Sequence, residues 1–435
     1  MKSSKQGIST SHGLLAISPI LVFLLFYLVI SLIIGDFYKM PISVALLIGS
    51  AWAVLIMRKR PLTERVEIFS RDAGSSNVMY MLWIFILAGA FASLAKEIGA
   101  VEATVHIALR YLPVEMLIPG LFVASCFISL SIGTSVGTVV ALTPLAVELA
   151  QSESGNVPFF VAVVLGGAFF GDNLSFISDT TIAATRTQGC RMRDKFRVNL
   201  WIALPAAIAS LVLYVILGVR LPDMATLSAC NPILIIPYLL IIVLALAGLN
   251  VTVVLSLGII AALVMGIFTG HNFIEMFGYM GSGIDSVGQL IIITMLAAGM
   301  LGLIKELGGI DYILQVLTRR IHGSRGAQAI IALIVGLVNL CTANNTVAII
   351  TVGSVASSLS QRFGVDPRKS ASLLDTASCI VQSLIPYGAQ TLLATSLASI
   401  SPVATWPYLY YPWALTFFLI LSILFRFPRL KSKAA

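Results

Sequence analysis

The sequence predicts an all-α polytopic membrane protein of two inverted repeats, each of five spans plus a re-entrant hairpin, with broken helices at the midplane. Three observations predict it: a scarcity of charge, apolar runs of spanning length, and a polar pattern that returns about 210 residues later. Of 435 residues, 58% are hydrophobic and 11% charged, and mean hydropathy is +0.99. A soluble domain carries about a quarter charged residues, so this chain cannot solvate a surface and needs lipid around it. Runs of the roughly 20 apolar residues that cross a bilayer recur from end to end.

The elements follow in order. A basic stretch, MKSSKQGISTSHG, precedes an apolar run from Leu14 to Ile34. That run is too long for a signal peptide and is followed by no small-residue cleavage site, so it reads as the first span. Spans are expected near 14–35, 41–57 and 77–96, then an amphipathic stretch at 98–112. An apolar pair (114–132 and 136–150) joined by Gly133-Thr134-Ser135 reads as a hairpin spanning 114–150. An interrupted span at 157–185 and a last one at 198–219 close the first copy, residues 1–219. The second copy, 220–435, reads as spans at 231–248, 251–269 and 287–304 and a stretch at 309–322. A hairpin at 326–360, a broken span at 370–399 and a final span at 407–425 complete it.

The repeat rests on aligned stretches. LAKEIGAVEATVHIALR (94–110) matches LIKELGGIDYILQVLTR (303–319), and SIGTSVGTVVALTPLAVELA (131–150) falls on CTANNTVAIITVGSVASSLS (341–360). The +8 net charge sets orientation and is no sign of nucleic acid: lysine and arginine cluster in 57–65, 186–197, 319–325, 361–370 and 425–433. If the N-terminus is cytoplasmic and each hairpin makes no net crossing, all five clusters read as cytoplasmic loops and 270–286 and 401–407 as outside. The C-terminus is then cytoplasmic too, in a multi-pass protein of the plasma membrane, the inner one of a bacterial cell. Five crossings per copy is an odd number, so the copies are inverted, an arrangement that places a binding site near the midplane. Short, polar, uncharged tips favour re-entrant hairpins over full spans.

Nineteen acidic residues are present, and three read as lying at membrane depth: Asp172, Asp179 and Asp375. A carboxylate there is costly and marks a site by default. Two stand in GDNLSFISDTT (171–181) with Asn173, Ser175, Ser178, Thr180 and Thr181. As a helix, this stretch would set Asp172, Ser175 and Asp179 on one face; unwound, it would add backbone carbonyls. Either way it concentrates the oxygen ligands that a hard cation takes. Packing is the plainer role for single Ser or Thr residues and for Gly167 and Gly171. In the second copy Asp375 precedes Gln382, Tyr387 and Gln390 around the helix-breaking Pro386-Tyr387-Gly388. The tips contribute Thr134 and Ser135 in the first hairpin and Asn344, Asn345 and Thr346 in the second.

Other chemistry is disfavoured. Five scattered cysteines and four dispersed histidines suggest neither a disulfide framework nor a metal site. GTSVG (133–137) matches a serine-nucleophile pattern, but it needs a strand-to-helix elbow and a histidine partner, so no enzyme is expected. No nucleotide-binding motif occurs.

At these residues the chain resembles the NhaC-type Na⁺/H⁺ antiporter family of the ion transporter superfamily. The resemblance rests on GGAFFGDNLSFISDTT (166–181), TANNTVAIITVG (342–353) and SASLLDTASCIVQSLIPYGAQ (370–390). It implies ten or so spans, inverted repeats, paired hairpins and cation-coupled transport, with a departure at Phe176, where many relatives carry proline. The Asn-Asn-Thr tip is also similar to the tips of sodium-coupled carboxylate transporters. The expectation is Na⁺/H⁺ exchange by alternating access, with Asp172 and Asp179 desolvated and Na⁺ held at Asp172, Asn173 and Asp179. The alternative is Na⁺- or H⁺-coupled transport of a small organic acid or amino acid. Expected partners are membrane lipid, Na⁺ and H⁺, with a small organic solute and a homodimer left open; no cofactor is expected.

Overall fold

The computed structural model describes residues 9–34, 40–111, 113–152, 155–175, 178–218, 231–247, 249–318, 321 and 323–428. Phe176, Cys230, His322 and the chain ends from which the orientation of the termini is argued lie outside them. The described residues are helical, with no strand among them. In order they form α1 (Thr10–Ile34), α2 (Ile42–Ile56), α3 (Leu62–Ala73), α4 (Ser76–Glu97), α5 (Ala100–Tyr111), α6 (Leu117–Ile132) and α7 (Ser135–Ser152). Then come α8 (Val157–Leu174), α9 (Asp179–Gln188), α10 (Met192–Gly218), α11 (Ile236–Leu246), α12 (Val251–Phe268), α13 (Phe273–Ser286) and α14 (Gly288–Glu306). The last are α15 (Gly309–Thr318), α16 (Gly323–Thr342), α17 (Asn345–Phe363), α18 (Pro367–Leu384), α19 (Ala389–Leu397) and α20 (Tyr410–Leu424).

Among the described residues seven helical stretches are long and apolar enough to cross a membrane, or eight if the bent pair Pro402–Tyr408 and Tyr410–Leu424 counts as one. This is a polytopic membrane protein. Ten crossings were expected. The expected spans at 41–57 and 231–248 form shorter apolar helices, and α18 is rich in polar residues, nearly all buried.

Two expected loops are helices. The 57–65 and 270–286 stretches belong to or adjoin α3 and α13. Phe69 and Asp72 of α3 lie over Gly299 and Gly302 of α14, where a Cβ would come within 2.4 and 2.5 Å. On α13, Gly283 meets Gly89 of α4 so closely that a Cβ on either would reach the other's carbonyl oxygen at 2.1–2.3 Å, and Ser282 and Ser93 share a hydrogen bond of 3.1 Å. Both helices are amphipathic and charge-bearing, so a hydropathy reading passes over them; glycine notches on a neighbour give their narrow faces a place to dock.

The hairpins are set by contacts along α8 and α18. Ser125 and Ser129 of α6 lie against Gly167 and Gly171, and Ser129 Oγ donates to the Ala168 carbonyl at 2.6 Å, so α6 runs parallel to α8. The Gly167/Gly171 packing motif works as expected, since no larger residue would fit. α7 turns back from Asp172 to the start of α8, where Gly155 N–H donates to Ala150 C=O at 2.6 Å. The tip therefore reaches only the end of α8, beyond which the chain continues into α9. In the second hairpin, Asn339 Nδ2 donates to Ser378 C=O at 2.8 Å and Gln382 Nε2 to Ala343 C=O at 3.0 Å, so α16 runs parallel to α18. Thr181 contacts Asp375 and Gln188 contacts Ser370, so α9 runs antiparallel to α18.

Candidate functional site

α8 ends at Leu174 because its next residues leave helical geometry: Ser175 and Ser178 are both extended (φ −64°, ψ 140° and φ −68°, ψ 143°). The stretch 171–181 is thus two helix ends, Leu174 closing α8 and Asp179 opening α9, rather than one continuous helix. The last carbonyls of α8 are thereby freed, and side chains take them up. Ser178 Oγ and Thr180 Oγ1 donate to the Asp172 carbonyl at 2.8 and 3.1 Å, while Ser178 caps α9 by accepting from Thr181 N–H at 3.2 Å. Ser175 Oγ ties the break to the first hairpin through Leu130 C=O at 3.0 Å.

The Asp172 carboxylate, 5% exposed, faces the N-terminus of α7. Its Oδ1 accepts from Ser135 N–H at 3.1 Å and its Oδ2 from Ser135 Oγ at 2.5 Å. The positive end of a helix favours an anion there. Ser135 in turn accepts from Gln390 Nε2 at 3.0 Å, and Gln390 Oε1 accepts from Gln382 Nε2 at 2.9 Å. Since Gln382 also holds Ala343 C=O, a chain of hydrogen bonds runs from the second hairpin tip to Asp172. Tyr387 OH donates to Leu340 C=O at 2.7 Å and steadies that tip.

The second tip is shaped by its asparagines. Asn344 caps α17 by accepting from Val347 N–H at 3.0 Å, and Asn345 Oδ1 accepts from Thr346 N–H at 3.1 Å. Thr342 Oγ1 donates to Asn344 C=O at 3.0 Å. Asn344 and Thr342, with Asp72, Lys305, Thr351 and Tyr387, line a cavity of about 150 Å³ between the tip, α3 and α14. Thr134 is half-buried at the first tip.

The expectation that Asp179 is desolvated is overturned. It starts α9 on an exposed face, because Ser178, not Asp179, turns inward to cap the helix. Asp375 is fully buried, but its partner was not foreseen: Lys195, 1% exposed on its side chain, forms an ion pair with it. The 186–197 stretch, read as a cytoplasmic basic loop, instead contributes the end of α9 and the start of α10. Lys195 Nζ also donates to Asn173 C=O at 2.7 Å and Thr181 Oγ1 at 2.8 Å. Asn199, one turn on, donates to the same Asn173 carbonyl at 2.9 Å, and Thr376 Oγ1 donates to Asn173 Oδ1 at 3.3 Å. The signal was present: Lys195, Val198, Asn199, Ile202, Ala203 and Ala206 are all buried, at the spacing of one helical face.

The local charges do not balance. Two buried carboxylates, Asp172 and Asp375, face one buried ammonium, and that ammonium is committed to Asp375. Among the described residues the other buried lysine, Lys369, sits at the start of α18, bonded to Ser422 and to Phe427 C=O. Among the described residues no ion pair is formed by Asp172. A buried carboxylate without a counter-charge takes a proton or holds a cation.

The family model for the Na⁺/H⁺ antiporter family matches residues 6–219 and 224–428. The Na⁺/H⁺ antiporter NhaC of Alkalihalophilus pseudofirmus is 24% identical over 377 residues, covering 78% of this chain and 79% of that protein. The malate-2H⁺/Na⁺-lactate antiporter of Bacillus subtilis is 20% identical over 427 residues, 91% of each chain. The arginine/ornithine antiporter ArcD of Halobacterium salinarum is 22% identical over 430 residues, 90% of this chain and 88% of that protein.

Proposed function

The chain belongs to the Na⁺/H⁺ antiporter family, and from that premise we propose that it exchanges Na⁺ for H⁺ with Asp172 as the carboxylate for which the two cations compete. One observation carries the assignment: Asp172 is buried at a helix break, its carboxylate held by Ser135 and its own carbonyl by the Ser178 and Thr180 hydroxyls, with no ionic partner among the described residues. A single negative charge at depth is neutralised by H⁺ or by Na⁺ and not by both, so loading one releases the other. The Ser135 donors hold the carboxylate in place through either state, and Ser175, Ser178 and Thr180 supply the oxygens of a cation shell. Asp179, on its exposed face, draws cations toward the break.

The two hairpins and broken helices are proposed as inverted halves, 1–219 and 220–435, whose relative movement exposes the site to each side in turn. The contacts support this: Ser129 to Ala168 and Asn339 to Ser378 are the same pairing 210 residues apart, and α9 runs against α18. Cytoplasmic termini belong to the same reading.

A second reading has its own observation. The cavity beside Asn344 and Lys305 has the volume and polar ends for a small organic acid or amino acid, and relatives named for malate, lactate, arginine and ornithine fit it. Liposomes with a trapped pH dye and an imposed proton gradient separate the two. Na⁺ is expected to collapse the gradient through the wild-type chain while Asp172→Asn is silent. A gradient that answers only to Na⁺ together with a carboxylate or amino acid would replace the antiporter reading with the solute one.

A further inference from the structure

Lys195 is a buried charge at the helix break that the exchange at Asp172 does not use. Its ammonium has three donors, and the structure accounts for all three with oxygen: Asn173 C=O at 2.7 Å, Thr181 Oγ1 at 2.8 Å and the Asp375 carboxylate. The oxygens come from three separate pieces of backbone, the end of α8, the first turn of α9 and the middle of α18, and converge on one point at the helix break. One carboxylate, one hydroxyl and one freed carbonyl are the ligand set that a hard monovalent cation takes. Lys195 reaches that point from α10 with its stem along the buried face of that helix, beside Val198, Asn199 and Ile202. A structural ion pair needs only the carboxylate; here the ammonium also engages the same broken backbone whose neighbouring carbonyl, Asp172 C=O, is held by Ser178 and Thr180.

We propose that the Lys195 ammonium occupies a second cation site, formed by Asn173 C=O, Thr181 Oγ1 and Asp375, as a tethered stand-in for Na⁺. The tether cannot leave, so the cage is closed to free Na⁺ and the chain carries one exchangeable cation, at Asp172. Removing the ammonium while keeping the stem opens the cage. Lys195→Met does this, since methionine ends one atom short of the Nζ position. The uncompensated Asp375 then recruits Na⁺, because a buried carboxylate stripped of its partner is costly to leave alone.

The inference rests on the reading of Asp172 as a cation site, and the test keeps the two apart. Bound ²²Na⁺ is counted on purified protein at pH 8.5 for wild type, Lys195→Met and Lys195→Met/Asp375→Asn. The expected result is one more Na⁺ per chain in Lys195→Met than in wild type, lost again in the double variant. An unchanged count in a folded Lys195→Met overturns the proposal and means a proton, not Na⁺, replaces the ammonium. An extra Na⁺ that survives Asp375→Asn overturns the assignment to this cage. The wild-type count itself reads the Asp172 proposal: no Na⁺ in wild type with one gained in Lys195→Met would sink the former and uphold the latter. Where Lys195→Met does not fold, Lys195→Gln is counted in its place. Failure of both variants to fold in sodium buffer, while the double variant folds, shows that Na⁺ cannot substitute and overturns the proposal.

Discussion

At the ends of α8 and α18 similar arrangements hold different chemistry. In the first, Asp172 takes two hydrogen bonds from Ser135 at the start of α7. In the second, 210 residues later, Gln382 stands where Asp172 would, and it donates to Ala343 C=O and Gln390. The turn positions differ likewise: Gly133 is left-handed at φ 74°, whereas its counterpart Ala343 is held at φ 46°. Among the described residues, the end of α8 therefore keeps a carboxylate without an ionic partner, and the end of α18 does not. The second half keeps the fold of the motif and spends its carboxylate, Asp375, on Lys195. Two segments 210 residues apart can share helix-pair geometry while only one places a carboxylate at its turn.

The largest effect expected is at the carboxylate. Asp172→Asn should lower Na⁺ affinity by about 100-fold or more, the scale of removing a buried charge from its partner, whereas Gln382→Ala should slow exchange and keep its sodium dependence. Equal losses in the two, measured as Na⁺-driven dye response in liposomes, would break the comparison. Next is packing: Gly171→Ala sets a Cβ 2.2 Å from Ser129 and should cost about 1–3 kcal/mol as overpacking. Gly336→Ala, with 3.1 Å to Val381, should cost less; thermal midpoints in detergent rank them.

The tips give a smaller, signed pair. Gly133→Ala should destabilise by about 1–2 kcal/mol and Ala343→Gly should stabilise, since only glycine is at ease in the left-handed region. A stabilising Gly133→Ala would show that the first tip tolerates a side chain as the second does. The smallest effect lies at the start of α18, where Asp366 accepts from Arg368 N–H at 2.8 Å as the helix cap. Burial alone would raise its pKa, but the Arg368 guanidinium and backbone N–H outweigh burial and hold it below the ordinary carboxylate value. Its contribution is then full above about pH 4 and fades as pH falls through the lowered value. Asp366→Ala should cost about 1 kcal/mol; Asp366→Asn should keep the cap and lose the acid dependence, read from unfolding between pH 3 and pH 6.

Much of this was legible in the chain. Hydropathy and helix-breaking residues are local properties, and they pointed to most of the apolar helices, to the turns after Ile132 and Thr342, and to the interruptions after Leu174 and Leu384. Asp172, Ser135, Gln382 and Gln390 were singled out as polar groups at depth, and the structure joins them by hydrogen bonds. α3 and α13 were missed because a short charged helix is recognised only by the glycine notch that receives it, on α14 and α4.

What the sequence determined by itself was that this chain lives in lipid and carries carboxylates and amides where its helices break. Tertiary structure decided which charges are free. Asp179 turns to an exposed face because Ser178 takes the capping position, and Lys195 leaves the basic loop cluster to reach Asp375, 180 residues away. Burial and ion pairing depend on partners distant along the chain, and a Coulomb interaction at depth is set by which groups meet rather than by what each group is.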